Sequence, residues 1–502
     1  MINASLTIDR ELRVAPARRR LFGSFVEHLG RSVYTGIHEP GHPTADADGF
    51  RGDVIDLVRE LGVSTVRYPG GNFVSSYRWE DGVGPVAQRP ARLDLAWHST
   101  EPNTVGVDEF IRWCGLTGVE PMLAVNLGTR GIQEAVDLLE YCNIEAGTHL
   151  SDLRREHGAK EPHDVRMWCL GNEMDGPWQV GHRSAVEYGR LAAQTARAMR
   201  LVDPKLELVV CGSSGSGMAT FGAWEVDVLG ETYDEVDYIS AHAYYEEREG
   251  DAASFLASAV DMDHFIDAVS AAVDLVRAKK KVSKRIPISF DEWNVWYQSR
   301  VAAQLPTKSW PVAPRLLEDQ YSALDAVTVG GLLICLLRHS ERVHAASLAQ
   351  LVNVIAPIMT EPAGRAWRQT TFHPFALTSR YAAGDVLHVR PTSPSHETSR
   401  YGDVPLLDAV ATVDGDGHAA VFAVNRSPTE PLAVSVDARS LGDVRIIECV
   451  TLSDPDIYRV NTADEPHAVV PRPNPTARVE SGRVEVLLPA VSWTMLRLSH
   501  PR

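Results

Sequence analysis

With 502 residues the chain exceeds one ordinary domain and leaves room for two or three. An apolar share of 44% and a charged share of 23% are those of a soluble globular protein and exclude a disordered or fibrous one. The formal net charge of −17 disfavours nucleic acid and anionic membrane as partners, since both require basic patches, and leaves a neutral ligand open.

Residues 1–17 alternate apolar side chains, Leu6 and Ile8, then Leu12 and Val14, around a turn, which predicts a β-hairpin ahead of the main domain. Leu21 to Leu29 is the next strand and carries Glu27 and His28 near its end. Asp53 to Leu61 has helical period and stops at Gly62. Ser64 to Tyr68 is a strand running into Pro69, Gly70, Gly71 and Asn72. The stretch 73–106 is rich in Pro, Gly and Trp and reads as an ordered loop over a pocket.

The alternation then repeats. Helices at 107–118, 131–143, 184–202, 220–233, 252–279 and 317–339 each precede a short apolar run. Those runs are 121–126, 166–173, 206–211, 236–245, 286–292 and 346–353, and a last helix lies near 370–382. Eight strands alternating with helices imply a parallel sheet, and their number and spacing predict a (β/α)8 TIM barrel over residues 18–384. A doubly wound open sheet is the alternative, but the first strand leads into no Gly-rich phosphate turn. From about residue 385 to 502 short β-rich runs separated by Asp, Gly, Pro and Asn turns predict an additional antiparallel β-sandwich domain, which the 1–17 hairpin joins.

The N-terminus lacks a basic segment followed by an apolar one, and no run of about 18 apolar residues occurs, so a cytoplasmic protein without a membrane span is expected. Six scattered cysteines show no C-x-x-C spacing and read as buried reduced thiols. The histidines show no metal-ligand spacing, so neither a metal nor another cofactor is expected.

The chemistry concentrates at two strand ends. Met167 to Leu170 is a buried run followed by Gly171, Asn172 and Glu173. Ile286 to Phe290 is a second, followed by Asp291 and Glu292. Counting strands puts these carboxyls on the fourth and seventh, facing each other across a barrel mouth, which is the minimum equipment for cleaving a glycosidic bond. Trp168, Trp178, Trp293 and Trp296 lie close by in sequence and suit the apolar faces of sugar rings, although core packing is the better reading for any one of them.

Several stretches together resemble a known family: Gly23-Ser-Phe-Val-Glu-His, Arg67-Tyr-Pro-Gly-Gly-Asn-Phe, Leu95-Ala-Trp-His-Ser-Thr-Glu-Pro-Asn, Gly171-Asn-Glu-Met-Asp-Gly-Pro-Trp-Gln, Ala241-His-Ala-Tyr-Tyr, Asp291-Glu-Trp-Asn-Val-Trp-Tyr and Ala349-Gln-Leu-Val-Asn. They are similar to the α-L-arabinofuranosidases of glycoside hydrolase family 51, along essentially the whole chain. The resemblance implies a retaining, exo-acting arabinofuranosidase, with Glu173 as general acid/base and Glu292 as nucleophile. By the same resemblance Asn172 binds the sugar 2-hydroxyl, Tyr244 orients the nucleophile, and Glu27, Asn72 and Gln350 bind furanose hydroxyls. Phe25 and Trp97 match pocket walls, and His242 and Trp296 match positions near the nucleophile. Asn72 also suits a plain turn after Gly-Gly, and His242 a core histidine.

Arabinofuranosyl oligosaccharides of arabinan or arabinoxylan type are the implied substrates, and a homo-oligomer, often a hexamer, the implied assembly. Two other readings are a retaining endo-glucanase or β-xylosidase and a catalytically silent carbohydrate-binding protein.

Overall fold

The computed structural model describes residues 2–499. Its first strands are β1 (Ile2–Thr7), β2 (Arg13–Pro16), β3 (Gly23–Phe25), β4 (Thr65–Tyr68), β5 (Arg92–Asp94), β6 (Ser99–Glu101), β7 (Glu120–Ala124), β8 (Met167–Leu170), β9 (Glu207–Val210), β10 (Tyr238–Tyr245), β11 (Ile288–Val295) and β12 (Val343–Leu348). Eight of them close a parallel barrel in the order β3-β4-β7-β8-β9-β10-β11-β12, with β12 back beside β3. The fold is therefore the expected (β/α)8 barrel with further antiparallel sheets. All four residues of β4 and of β8 are buried, as parallel strands covered by side chains within and helices without must be. Between strand pairs run helices Gly52–Leu61, Val107–Thr117, Ile132–Asn143, Ala185–Val202, Ala223–Thr232, Ala259–Lys280 and Ala323–Arg338.

Ala323–Arg338 is apolar on every side. Residues 323–337 are all buried, because the helix is sandwiched between the barrel and the C-terminal sheets. Ser322 and Asp325 cap its start reciprocally: the Ser322 hydroxyl accepts the Asp325 N–H at 3.3 Å, and the Asp325 carboxylate accepts the Ser322 N–H at 2.7 Å. A Cβ at Gly330 would stand 2.2 Å from the Trp493 ring, so only glycine lets this helix reach the sandwich. The core runs continuously from the barrel helices through this helix to Phe422, Trp493 and Met495.

The C-terminal part packs a five-stranded sheet on a seven-stranded one, with a separate core of Leu6, Leu432, Val434, Val484, Leu496 and neighbours. Residues 1–17 depart from the expected hairpin. β1 pairs in parallel with Leu432–Asp437 in one sheet, whereas β2 pairs with Asp385–Leu387 in the other. The turn between them thus bridges the two sheets; β1 buries Ala4 and Leu6, whereas Val14 and Ala15 of β2 are only half-buried. The single helix expected near 252–279 breaks into Ala252–Leu256 and Ala259–Lys280. The eighth strand begins three residues earlier than expected, at Val343, and Gln350 lies beyond its end. Among the described residues no helix is long and apolar enough to cross a membrane. All six cysteines are free and buried.

Candidate active site

β8 ends at Leu170, and Gly171 turns the chain with φ of +94°. Glu173 itself sits at φ of +42°, unusual for a residue with a side chain and a mark of a site held by its surroundings. This sharp exit brings the Glu173 carboxyl back over the barrel mouth. β11 continues through Glu292 to Val295, so Glu292 is held within the sheet itself, paired beside His242 of β10. One carboxylate oxygen of Glu173, one of Glu292 and a ring nitrogen of His242 all lie within 4.8 Å of one another.

Each partner of Glu292 favours its anion. Arg67 donates from Nη1 to Oε1 at 2.8 Å, and the Tyr244 hydroxyl donates to Oε2 at 2.6 Å. Burial alone pushes this carboxyl up; His242, Arg67 and the Tyr244 hydroxyl together overcome it and hold Glu292 below the ordinary carboxylate value. The histidine is shifted the other way. Burial works against its charge, but Glu292 and Glu173 prevail and raise it. His242 Nδ1 stands 2.9 Å from Glu173 Oε1 and 3.6 Å from Glu292 Oε2. The other oxygen of Glu173 accepts the Trp178 indole N–H at 2.7 Å.

A second group forms over the first and eighth strands. Glu27 accepts the Phe73 N–H and the Trp97 indole N–H on Oε1, each at 2.9 Å, and the Gln350 amide on Oε2 at 3.1 Å. Burial pushes its carboxyl up to about 8, the two N–H donors pull it down less than that, and Glu292 adds to the rise. Asp94 accepts the Ala96 and Trp97 N–H groups and so fixes the turn that presents Trp97. The two groups are joined through Asn172, whose Oδ1 takes the Arg67 Nη2 at 2.7 Å and whose amide reaches Asn72 Oδ1 at 3.3 Å.

The structure thus brings together all eleven residues singled out from the sequence. Phe25 lies under the Arg67 guanidinium at 4.9 Å, and Trp296 meets Tyr244 edge-on at 4.8 Å. Sequence reasoning gave no role to Arg67, which binds Glu292 and Asn172 at once. The available signal was a charged residue inside the otherwise apolar run Thr65–Tyr68, fully buried in a barrel strand. It also missed Trp178 as a donor to Glu173. Asp291 and Asp175, which flank the two glutamates, have structural partners: Ser289 and Cys169 for the first, the Ser214 N–H and hydroxyl for the second.

Two facing carboxyl groups at the C-terminal ends of the fourth and seventh strands, one held anionic, make this barrel a glycoside hydrolase. Residues 57–265 match the model of the α-L-arabinofuranosidase 1 domain, and residues 291–492 that of the α-L-arabinofuranosidase C-terminal domain. The chain is 58% identical over its whole length, and 76% of the relative's, to an intracellular exo-α-(1→5)-L-arabinofuranosidase of Streptomyces lividans. It is 56% identical, over 98% of this chain and 97% of the other, to an exo-α-(1→6)-L-arabinofuranosidase of Bifidobacterium longum. The solved structure of a family 51 α-L-arabinofuranosidase from Bifidobacterium longum superposes with a TM-score of 0.96 at 50% identity, covering 99% of each chain. An α-L-arabinofuranosidase from Thermotoga maritima, solved with arabinose, gives 0.88 at 33% identity over 99% of each chain. The chain belongs to the family 51 α-L-arabinofuranosidases.

Proposed function

We propose that the enzyme removes terminal non-reducing α-L-arabinofuranosyl residues from short arabinan- or arabinoxylan-type oligosaccharides by double displacement. Glu292 attacks the anomeric carbon while Glu173 gives its proton to the departing oxygen, leaving a covalent arabinosyl ester. Glu173 then takes a proton from water, which attacks the same carbon and frees arabinose and Glu292. The observation that carries this reading is the approach of Glu173 and Glu292 oxygens to within 4.8 Å. Retaining enzymes hold their carboxyls about 5–5.5 Å apart, whereas inverting ones need about 6.5–9.5 Å to admit a water between.

Arg67 and Tyr244 keep the nucleophile charged, Asn172 and Asn72 meet the hydroxyl beside the anomeric carbon, and Glu27 and Gln350 take those farther round the ring. Phe25, Trp97 and Trp296 wall the pocket, and His242 bonds Glu173 while lying close to Glu292. The chain divides at about residue 384 between catalytic barrel and sandwich. The names of several relatives, among them that of Streptomyces lividans, support an intracellular enzyme. They also carry both 1→5 and 1→6 linkages at similar identity, so the recognised unit is the terminal furanose.

The test is hydrolysis of 4-nitrophenyl α-L-arabinofuranoside by wild type, Glu292→Ala and Glu173→Ala, each with and without azide. Activity in wild type, none in Glu292→Ala without azide, and azide rescue of Glu173→Ala with formation of the retained α-arabinofuranosyl azide are expected. Retained α-azide from Glu292→Ala together with inverted β-azide from Glu173→Ala would instead exchange the two roles.

A further inference from the structure

Trp310 lies in a long excursion, 296–322, between the seventh strand and the helix that follows it. Both ends of this excursion touch the site. It leaves from Trp296, which packs on Tyr244. It returns at Leu317, whose carbonyl accepts the Ile355 N–H at 2.7 Å, and the Ile355 carbonyl in turn accepts the Gln350 N–H at 3.1 Å. Midway it reaches across to the β5–β6 hairpin of the second strand's loop. There Trp310 stacks on His98 with ring centroids 3.7 Å apart and planes 27° from parallel. The Thr100 hydroxyl donates to the Trp310 carbonyl at 2.7 Å, and the Thr100 N–H to the Pro311 carbonyl at 3.0 Å.

The barrel order gives this contact its meaning. The second and seventh strands, β4 and β11, are not neighbours: β3 and β12 lie between them. Two loops that meet must therefore span the ends of the first and eighth strands, where Glu27 and Gln350 stand. His98 follows Trp97, whose indole N–H is already on Glu27, and it holds a left-handed backbone with φ of +55°. On the opposite side of the mouth, after the fourth strand, Trp178 is 51% exposed. The mouth is thus bridged on the side of the remote hydroxyls and open on the side of the leaving group.

We propose that the His98–Trp310 stack is a latch that makes the pocket blind at the non-reducing end, so that Trp310 and His98 are specificity-determining residues for exo action. This rests on the reading of Glu27 and Gln350 as the partners of the hydroxyls remote from the anomeric carbon. A substrate that continued beyond those hydroxyls would have to pass through the bridged loops, and the latch excludes it sterically.

The experiment compares 4-nitrophenyl α-L-arabinofuranoside with its 3-O-methyl and 5-O-methyl ethers in wild type, Trp310→Ala, His98→Ala and Trp310→Phe. The readout is the ratio of kcat/KM for each ether to that for the parent within one enzyme, which a partly unfolded preparation does not alter. Wild type is expected to discriminate against at least one ether by about 100-fold, the two alanine variants to recover about 10-fold or more of that, and Trp310→Phe, which keeps a ring on His98, to stay near wild type. Ratios unchanged in both alanine variants, or ethers cleaved as fast as the parent by wild type, overturn the latch while leaving the activity intact. Failure of wild type on the parent glycoside overturns the activity reading and the latch together.

Discussion

Arg67 and Glu292 form an ion pair at 2.8 Å with side-chain exposures of only 1% and 7%. The partner strands are far apart in sequence, and neither group has solvent to fall back on. Breaking such a pair by removing one side costs about 3–5 kcal/mol, because the remaining charge stays buried. The pair therefore sets both the charge of Glu292, the proposed nucleophile, and a share of the stability.

Arg67→Met tests this. Burial of Glu292 then goes less opposed, so its carboxyl rises and the acid limb of the kcat/KM profile moves to higher pH. A loss of about 100-fold or more in kcat/KM at neutral pH is expected, since the guanidinium holds Glu292 and Asn172 directly and at once. In wild type the folded-state value of Glu292 lies below its ordinary 4.5. Its contribution to stability is thus fully present above that pH and is lost as pH falls through the depressed value. Denaturant titrations at acidic and neutral pH should show the variant's deficit shrinking in acid. An unmoved acid limb would count against the pair.

Glu27 has the opposite linkage. Its carboxyl is pushed up to about 8 from 4.5, chiefly by burial. The folded protein therefore holds a proton that the unfolded chain releases, and the protein loses stability as pH rises from about 4.5 through about 8. Glu27→Gln lacks this proton. Its melting temperature relative to wild type should climb across that interval, while KM for the arabinofuranoside rises about 10-fold or more because a sugar-facing acceptor is replaced. Parallel Tm curves for the two proteins would refute the buried-proton reading.

Trp178 bonds Glu173 through its indole N–H while half its surface faces solvent. Trp178→Phe keeps an aromatic face and removes only the donor. The expected defect is confined to proton donation: about 10-fold slower kcat on an alkyl arabinofuranoside, and little change on the 2,4-dinitrophenyl glycoside, whose leaving group needs no proton. Equal losses on both substrates would make the tryptophan a packing residue.

The eight strands, though not their exact ends, were legible because parallel barrel strands are short, apolar on both faces and punctuated by Gly, Pro and charged residues. Glu173 and Glu292 stood out because each follows such a run. Arg67 was not legible as a partner, since its two bonds join residues 105 and 225 positions away. The 1–17 segment misled for a related reason. Period-two alternation is the same whether two strands pair with each other or are split between facing sheets, and only the tertiary partners Leu432–Asp437 and Asp385–Leu387 decide it. Trp310 was silent altogether and His98 had no role of its own, because a stack between two loops leaves no periodic trace.

Gly171 makes the turn that places Glu173, the proposed acid/base. Its φ of +94° lies where a side chain is strained, and a Cβ there would approach Met174 Cγ to 3.3 Å. Two costs combine in Gly171→Ala: backbone strain of about 1–3 kcal/mol, and a push on the turn that carries Glu173 only two residues on. The variant should melt lower by several degrees and lose kcat on unactivated arabinofuranosides well beyond what its folded fraction accounts for. Azide separates the two effects. If the displaced Glu173 limits turnover, azide accelerates Gly171→Ala on the nitrophenyl glycoside as it does Glu173→Ala, because the anion attacks the arabinosyl ester without needing a base. If azide does nothing and activity simply tracks the folded fraction measured by circular dichroism, the turn serves stability alone and the position of Glu173 is set by His242 and Trp178.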